Sequence, residues 1–358
     1  MSVSSFNPPL LSLSMAQIDQ YLQACIDQHG SDLHVASEAP IYVRCLGRLK
    51  PLTPEPLTAQ TCEQLVFEIL DQATSSRLNA DWEVDTSYTM DNGERFRVNL
   101  YRQRKGWDAV FRHFSSRVRT IDELGLPPIL KKFADANQGL ILITGPGRCG
   151  KSTTCAALVD HLNESSEEHI ITIEDPIEYV HVKKKCLVNQ RSVGPHTASF
   201  SAALRSALRE DPDIIMVGEM RDYETMSLAL TAAETGHLVI GTLHTGSAAA
   251  TISRVINLFP AAEQSQATTS LSESLVGILS QRLFVDSEGK EMVPAFEILV
   301  NSLALSNTIR EGENHKIPSL IATGASQGMQ TMEASLRSLV AAKKITQAQA
   351  DEILMEES

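Results

Sequence analysis

The sequence lacks the features that would place it in a membrane or outside the cell. Its purely apolar runs fall far short of the ~20 residues that a transmembrane helix needs. The first residues, MSVSSFNPPLLSLSMAQ, have neither the basic region nor the long apolar region of a signal peptide. The six cysteines form no C-x-x-C pair, which favours reduced thiols over disulfides or a zinc site. We therefore expect a cytoplasmic protein without direct membrane insertion.

Positive charge is also scarce. The chain has 31 Lys and Arg against 44 Asp and Glu, a net charge of -13, which disfavours nonspecific binding to nucleic acid or to an anionic membrane. The run Lys183 to Lys185 is a local exception. The simplest interpretation of this run is a solvated hairpin, and a ring that pumps DNA stays open as a minor alternative function. We expect no nucleic acid partner.

What is present indicates two domains of different kinds, 1–116 and 121–358, with a linker near 115–120. In the first, a helical pattern over 16–29 stops at Gly30, and alternating segments follow, two of them joined by Asn92-Gly93. This predicts a small α+β domain with an antiparallel sheet. The second has short apolar segments separated by helical patterns, namely GLILIT, HIITIED, DIIMVGE and HLVIGTLHT. They predict an α/β domain whose parallel sheet is covered on both faces, followed by a helical C-terminal part with breaks at Gly324 and Gly328.

A phosphate-binding loop lies directly after GLILIT. GPGRCGKS matches G-x-x-x-x-G-K-[ST] between a strand and a helix. In such loops backbone N–H groups face the phosphates, the lysine reaches the terminal phosphates, and the serine hydroxyl ligates Mg²⁺. We therefore predict ATP and Mg²⁺ as cofactors. The predicted nucleotide-binding residues are Gly145, Pro146, Gly147, Arg148, Cys149, Gly150, Lys151, Ser152 and Thr153.

Two residues of this loop are unusual. Arg148 stands where such loops commonly carry glycine, and its Cβ costs ~1 kcal/mol if the position needs a positive φ. We favour an outward, solvated side chain for it. Cys149 lies beside a helix N-terminus and a lysine, surroundings that lower a thiol pKa, so we expect a reactive thiol.

Acids and histidines follow the other predicted strands. Glu174, Asp175 and Glu178 come after one strand, at the sheet edge where ligands bind, and suit water activation and Mg²⁺ organisation. The segment DPDIIMVGEMRD resembles a Walker B strand in which Gly218 takes the usual aspartate position, which leaves Glu219 as the acid. The predicted metal ligands are Ser152, Glu219 and Glu174. His237 and His244 flank a core strand and are predicted to sense the γ-phosphate.

Arginines are concentrated in the predicted meander of the first domain. Five lie within it: Arg95, Arg97, Arg102, Arg104 and Arg112. Alternating arginines usually form a solvated face. In an oligomeric ATPase, one or two of them can instead reach a neighbour's γ-phosphate and stabilise the charge that develops during transfer.

Together these segments resemble those of the type IV pilus retraction ATPases, the PilT-like branch of the secretion ATPases. Further segments that carry the resemblance are SDLHV, EVDTSY, RFRVN, LRSALRE, LALTAAETG, SNTIRE and GMQTME. The resemblance implies a PAS-like N-terminal domain, a RecA-like ATPase domain and a cytoplasmic homohexamer. It implies that the ring acts peripherally to the inner-membrane pilus machine, on a platform protein, and that hydrolysis drives pilus retraction and twitching motility. The implied roles are Glu178 as catalytic base, Glu219 as Walker B acid, His237 and His244 as a histidine pair, and Arg97 and Arg112 as intersubunit arginines. Leu303 to Glu311 corresponds to the C-terminal motif associated with retraction.

Two alternatives to this function stay open. One is an assembly or secretion ATPase, whose members generally carry a longer N-terminal region and often a tetracysteine insert. The other is a weakly active ring subunit that supports a paralogous ATPase. The second is motivated by Arg148. In the family's usual GPTGSGKS, the positions of Gly147, Arg148 and Cys149 carry Thr, Gly and Ser.

Overall fold

The computed structural model describes residues 16–114 and 117–356. The chain divides into two compact units, Met1–Ser116 and Arg117–Ser358. Within the described ranges, no helix is both long and apolar enough to cross a bilayer.

The N-terminal unit is built on one antiparallel sheet. Its elements are α1 (Asp19–Asp27), β1 (Asp32–Val35), β2 (Tyr42–Cys45), β3 (Arg48–Pro51), α2 (Ala59–Phe67), α3 (Gln72–Asp81), β4 (Glu83–Thr89), β5 (Arg95–Gln103) and β6 (Gly106–Phe114). The strand order is β3-β2-β1-β6-β5-β4, with every neighbouring pair antiparallel. The α+β prediction is confirmed.

Local chemistry explains where these elements begin and end. Thr58 and Asp71 cap α2 and α3 by accepting hydrogen bonds from backbone N–H groups, which satisfies donors that a helix start leaves open. In the β4–β5 turn only Gly93 of the predicted pair has a positive φ, +88°. After α1, His29 takes the left-handed conformation and Gly30 does not. Gly30 is instead needed for packing, because a Cβ there would lie 2.3 Å from Val43 Cγ2.

The C-terminal unit is a larger α/β unit. It contains α4 (Ile129–Ala134), β7 (Gly139–Thr144), α5 (Lys151–Ser165), β8 (His169–Glu174), β9 (Leu187–Ser192), α6 (Phe200–Ala207), β10 (Ile214–Val217), α7 (Tyr223–Glu234), β11 (Leu238–Leu243), α8 (Ala248–Asn257), α9 (Gln264–Ser274), β12 (Leu275–Val285), β13 (Met292–Val300), α10 (Leu303–Arg310), α11 (Ile317–Thr323), α12 (Met332–Ala341) and α13 (Gln347–Glu356). The helical C-terminal part begins at α10, as predicted.

The sheet of this unit has the order β13-β12-β7-β11-β10-β8-β9. All neighbouring pairs are parallel except β12 with β13. Side chains of β7 alternate between two cores: Leu140 and Leu142 pack on one face, Ile141 and Ile143 on the other. Each such buried side chain contributes ~1.5–3 kcal/mol. The predicted parallel sheet with two covered faces is confirmed, and the carboxyl ends of its parallel strands meet at one edge.

Candidate nucleotide-binding site

The loop after β7 depends on two glycines. Gly145 has a φ of +141°, and a Cβ there would lie 2.3 Å from the Gln281 carbonyl oxygen and 2.6 Å from Cys149 Sγ. Gly150 has a φ of +90° and immediately precedes α5. A side chain at either position would be strained. The chain therefore turns sharply from a buried strand into a helix whose first N–H groups face the loop.

The lysine of the motif is held at this loop. Lys151 is buried, and its Nζ donates hydrogen bonds of 2.8 Å to the carbonyl oxygens of Gly145 and Pro146. The neighbouring Ser152 is exposed. A buried ammonium beside an accessible hydroxyl and a helix N-terminus is chemistry that suits a phosphate with its Mg²⁺.

Arg148 has the positive φ that its position in the loop requires. Its φ is +63°, a left-handed conformation that costs a residue with a Cβ ~1–2 kcal/mol. The residue is exposed, which agrees with the predicted outward side chain. The arginine therefore adds backbone strain to the loop.

The prediction of a reactive Cys149 is wrong. Cys149 is buried, and burial raises the pKa of its thiol, with the charge of Lys151 only partly opposing that effect. A thiol with a raised pKa carries little thiolate at neutral pH and reacts slowly.

Glu174 organises the loop that follows β8. It is buried, its Oε1 accepts hydrogen bonds from Thr172 Oγ1 (2.7 Å) and Gln190 Nε2 (3.2 Å), and its Oε2 accepts one from the Glu178 backbone N–H (3.4 Å). Burial raises the pKa of this carboxyl. Both oxygens are thus already in contact with protein donors. Its assignment as a metal ligand stays a prediction.

Residues 16–114 and 117–356 contain no group of three His, Cys, Asp or Glu arranged to hold an ion. Mg²⁺ in nucleotide sites typically keeps several waters and is bound through one or two protein groups and the phosphates. The exposed Ser152 hydroxyl fits that kind of site.

Glu178 is positioned by its neighbour. Tyr179 Oη and Thr153 Oγ1, on the first turn of α5, lie 2.9 Å apart, and the Tyr179 carbonyl accepts a 2.8 Å hydrogen bond from Gln190 Nε2. The loop carrying Glu178 is thereby tied both to the helix that follows the phosphate loop and to β9.

Glu219 follows β10 at the same edge. Arg221 pairs with both of its carboxylate oxygens, and His244 Nε2 lies 3.0 Å from Oε1. Burial works against ionisation, but the hydrogen bond from Arg221 and the charge of His244 outweigh it, so the pKa of Glu219 is lowered. A Cβ on Gly218 would lie 3.1 Å from the Ile173 carbonyl oxygen and 3.3 Å from Glu174 Cα. A side chain at the usual aspartate position would therefore require β8 to shift by a few tenths of an ångström.

The two histidines do not form a pair within one subunit. His244 follows the carboxyl end of β11, whereas His237 precedes its amino end and lies beside the start of β7, where its carbonyl accepts a 3.0 Å hydrogen bond from Gly139. At a rise of ~3.3 Å per residue, the seven steps between the two histidines place them about 23 Å apart. His237 therefore lies at the end of β11 opposite to Glu219, and its predicted role at a γ-phosphate stays a prediction.

Arg97 and Arg112 are brought together by the N-terminal sheet. They are direct cross-strand partners on β5 and β6, so their side chains share one face. Arg97 Nε lies 3.4 Å from Asp85 and Arg112 Nε lies 3.0 Å from the buried Asp32.

Sequence reasoning missed two glutamines. Gln190 holds the Glu178 loop, and the buried Gln281 on β12 contacts the phosphate loop. The available signal for Gln281 was the polar run Ser280-Gln281-Arg282 inside an otherwise apolar segment, LVGILSQRLFV.

Strand, loop and helix together define the class: this is a P-loop protein of the α/β kind. Residues 12–356 match the family described as "Type II/IV secretion system protein", and the chain belongs to that family. It is 47% identical over 335 residues to the type IV pilus retraction ATPase PilT of Pseudomonas aeruginosa, covering 94% of this chain and 97% of that protein. It is 46% identical over 298 residues to the twitching motility protein of Neisseria gonorrhoeae, covering 83% and 80%.

A solved structure agrees with these relatives. The crystal structure of the pilus retraction motor PilT with bound ADP matches with a TM-score of 0.84 at 42% identity, covering 93% of this chain and 95% of that one. The resemblance to PilT-like ATPases is therefore confirmed.

Proposed function

We propose that the chain is an ATPase that couples ATP hydrolysis to type IV pilus retraction, and so to twitching motility. The observation that carries the proposal is the loop Gly145 to Ser152. Glycine occupies the position where a Cβ would overlap the neighbouring strand, and a buried lysine is held at the loop. The near full-length similarity to a retraction ATPase supports the direction of the motor.

The residues at the sheet edge suit hydrolysis. Mg²⁺, when bound, would neutralise charge on the phosphates, and Ser152, with Glu219 acting through water, would hold it. Glu178 would accept the proton of the attacking water. His244, which touches Glu219, would report the state of the γ-phosphate.

We propose further that six copies form a ring, as implied by the resemblance. The N-terminal unit, 1–116, would be PAS-like and the domain 121–358 RecA-like. Arg97 and Arg112 share one face of the N-terminal sheet and would reach the γ-phosphate of a neighbouring subunit. Loss of that phosphate would then become rotation of one unit against another. The ring would act in the cytoplasm on a pilus platform protein of the inner membrane.

A nucleic acid substrate is not part of the proposal. In the run Lys183 to Lys185, the middle lysine pairs with Asp160 at 2.9 Å and Glu164 at 3.5 Å. Its charge is thus directed toward this protein's own carboxylates, which disfavours a surface for phosphate backbones.

The weakly active accessory subunit remains the second candidate, favoured by the strained Arg148. ATP hydrolysis by the purified chain decides between them, with Lys151→Ala as the inactive variant and Lys183→Ala, an exposed lysine, as the matched control. We expect wild type and Lys183→Ala to hydrolyse ATP and Lys151→Ala to lose at least 100-fold. Wild-type activity equal to that of Lys151→Ala would favour the accessory role.

Deletion of the gene tests the direction of force. We expect more surface pili together with loss of twitching. Loss of the pili themselves would contradict retraction and indicate an assembly ATPase.

A further inference from the structure

The side chain of Gln281 joins two parts of the phosphate loop. It is buried on β12, one residue beyond Ser280, the last residue of that strand paired with β7. Its Nε2 donates a 2.6 Å hydrogen bond to the Cys149 carbonyl oxygen, and its Oε1 accepts a 2.9 Å hydrogen bond from Thr154 Oγ1. Because a carbonyl oxygen can only accept, the amide must face Cys149 through its nitrogen.

This contact determines the direction of one peptide group. A peptide bond is planar and trans, so its C=O and N–H point in opposite directions. Holding the Cys149 carbonyl toward β12 turns the N–H of Gly150 away from β12, toward the open side of the loop. Backbone N–H groups with this orientation are what a phosphate-binding loop presents to its anion.

The main chain of β12 restrains the other end of the same loop. A Cβ on Gly145 would lie 2.3 Å from the Gln281 carbonyl oxygen. One residue of β12 therefore contacts the loop at Gly145 through its backbone and at Cys149 through its side chain. The hydrogen bond to Thr154 extends this restraint into the first turn of α5.

We propose that Gln281 is a positioning residue for nucleotide binding: it orients the peptide between Cys149 and Gly150 so that the loop binds phosphate without rearranging. The inference rests on the proposed ATPase function. It assigns Gln281 no contact with substrate, so its loss raises Kd and KM more than it lowers kcat.

The test compares variants of the full-length protein by titration with a fluorescent ADP analogue in the presence of Mg²⁺, by steady-state hydrolysis, and by melting without nucleotide. Gln281→Glu keeps the size and the acceptor for Thr154 but loses the donor to Cys149. Thr154→Val removes the other hydrogen bond and Thr154→Ser keeps it. Ser280→Ala is the matched control, because it removes a buried 2.7 Å hydrogen bond, to Thr144, from the same strand without touching the loop.

We expect Gln281→Glu to weaken ADP binding and raise KM at least tenfold with kcat within threefold. Thr154→Val should weaken binding about threefold, Thr154→Ser should match wild type, and Ser280→Ala should lower Tm with Kd within twofold. If Gln281→Glu does not fold, Thr154→Val against Thr154→Ser decides. If the Kd values of Gln281→Glu and Thr154→Val both equal the wild-type Kd, the inference is overturned and the ATPase proposal stays intact. Absence of binding by wild type would overturn both.

Discussion

Adding one methyl group to the phosphate loop at Gly145 should abolish tight nucleotide binding. In Gly145→Ala the new Cβ would lie 2.3 Å from the Gln281 carbonyl oxygen and 2.6 Å from Cys149 Sγ, at a φ of +141°. A backbone strain of ~1–3 kcal/mol adds to an overpacking cost of ~1–3 kcal/mol. The backbone oxygen cannot turn aside as a flexible side chain would, so the loop must move.

If the loop moves to relieve the clash, the folded protein avoids part of this cost. The loop must then return to its strained conformation to bind phosphate, so the cost lowers the affinity. Even the lower end of the sum, about 2 kcal/mol, corresponds to an affinity loss of about 30-fold. Titration with ADP and Mg²⁺ measures it. The matched control is Gly147→Ala in the same loop, since a Cβ on Gly147 meets nothing within 4 Å and its φ is not positive. The control should leave the free energy of unfolding within about 0.5 kcal/mol. A wild-type affinity for Gly145→Ala would refute the steric reasoning.

Two further predictions concern the unusual residues of the loop. Because burial raises the pKa of Cys149, brief treatment with an alkylating reagent at pH 7 should leave ATP hydrolysis unchanged, and peptide mass spectrometry should find this thiol modified only in denaturant. Rapid modification with loss of activity would contradict the buried placement. Because Arg148 has a φ of +63°, Arg148→Gly should relieve strain of ~1 kcal/mol and raise Tm by about 2–4 °C, measured by calorimetry. A lower Tm would mean that the contacts of the arginine side chain outweigh the strain.

The phosphate loop could be predicted because its determinants are local. An apolar strand, two glycines and a lysine at fixed spacing describe one continuous turn of chain, and the structure forms it over Gly145 to Lys151. The acids after β8 and β10 could also be assigned to the same edge, because parallel strands end together. Periodicity and spacing suffice when the relevant contacts lie within one element or follow from its direction.

What could not be predicted depends on contacts between distant segments. The sequence pattern does not predict strand β12, which lies between β7 and β13, and no local pattern brings Gln281 to Cys149 across 132 positions. The pKa of Cys149 also depends on distant segments, because they bury its thiol. The local rule for thiols near a helix start therefore gives the wrong direction of the pKa shift. The histidines lie apart for a different reason: the six residues of β11 separate His237 from His244 and carry them to opposite edges of the sheet.

Hydrogen bonds at the sheet edge join the segments that carry Glu174 and Glu219. The Gly218 N–H donates to the Ile173 carbonyl at 2.7 Å, and the Thr242 hydroxyl donates to the Gly218 carbonyl. The segment after β10 is therefore fixed to β8 on one side and to β11 on the other. Glu219 and His244 follow these strands closely and contact each other. A displacement of either side chain therefore changes the surroundings of the other. A Cβ on Gly218 would lie 3.1 Å from the Ile173 carbonyl oxygen, so a side chain there would push on β8, whereas the acid one position later, Glu219, instead contacts His244.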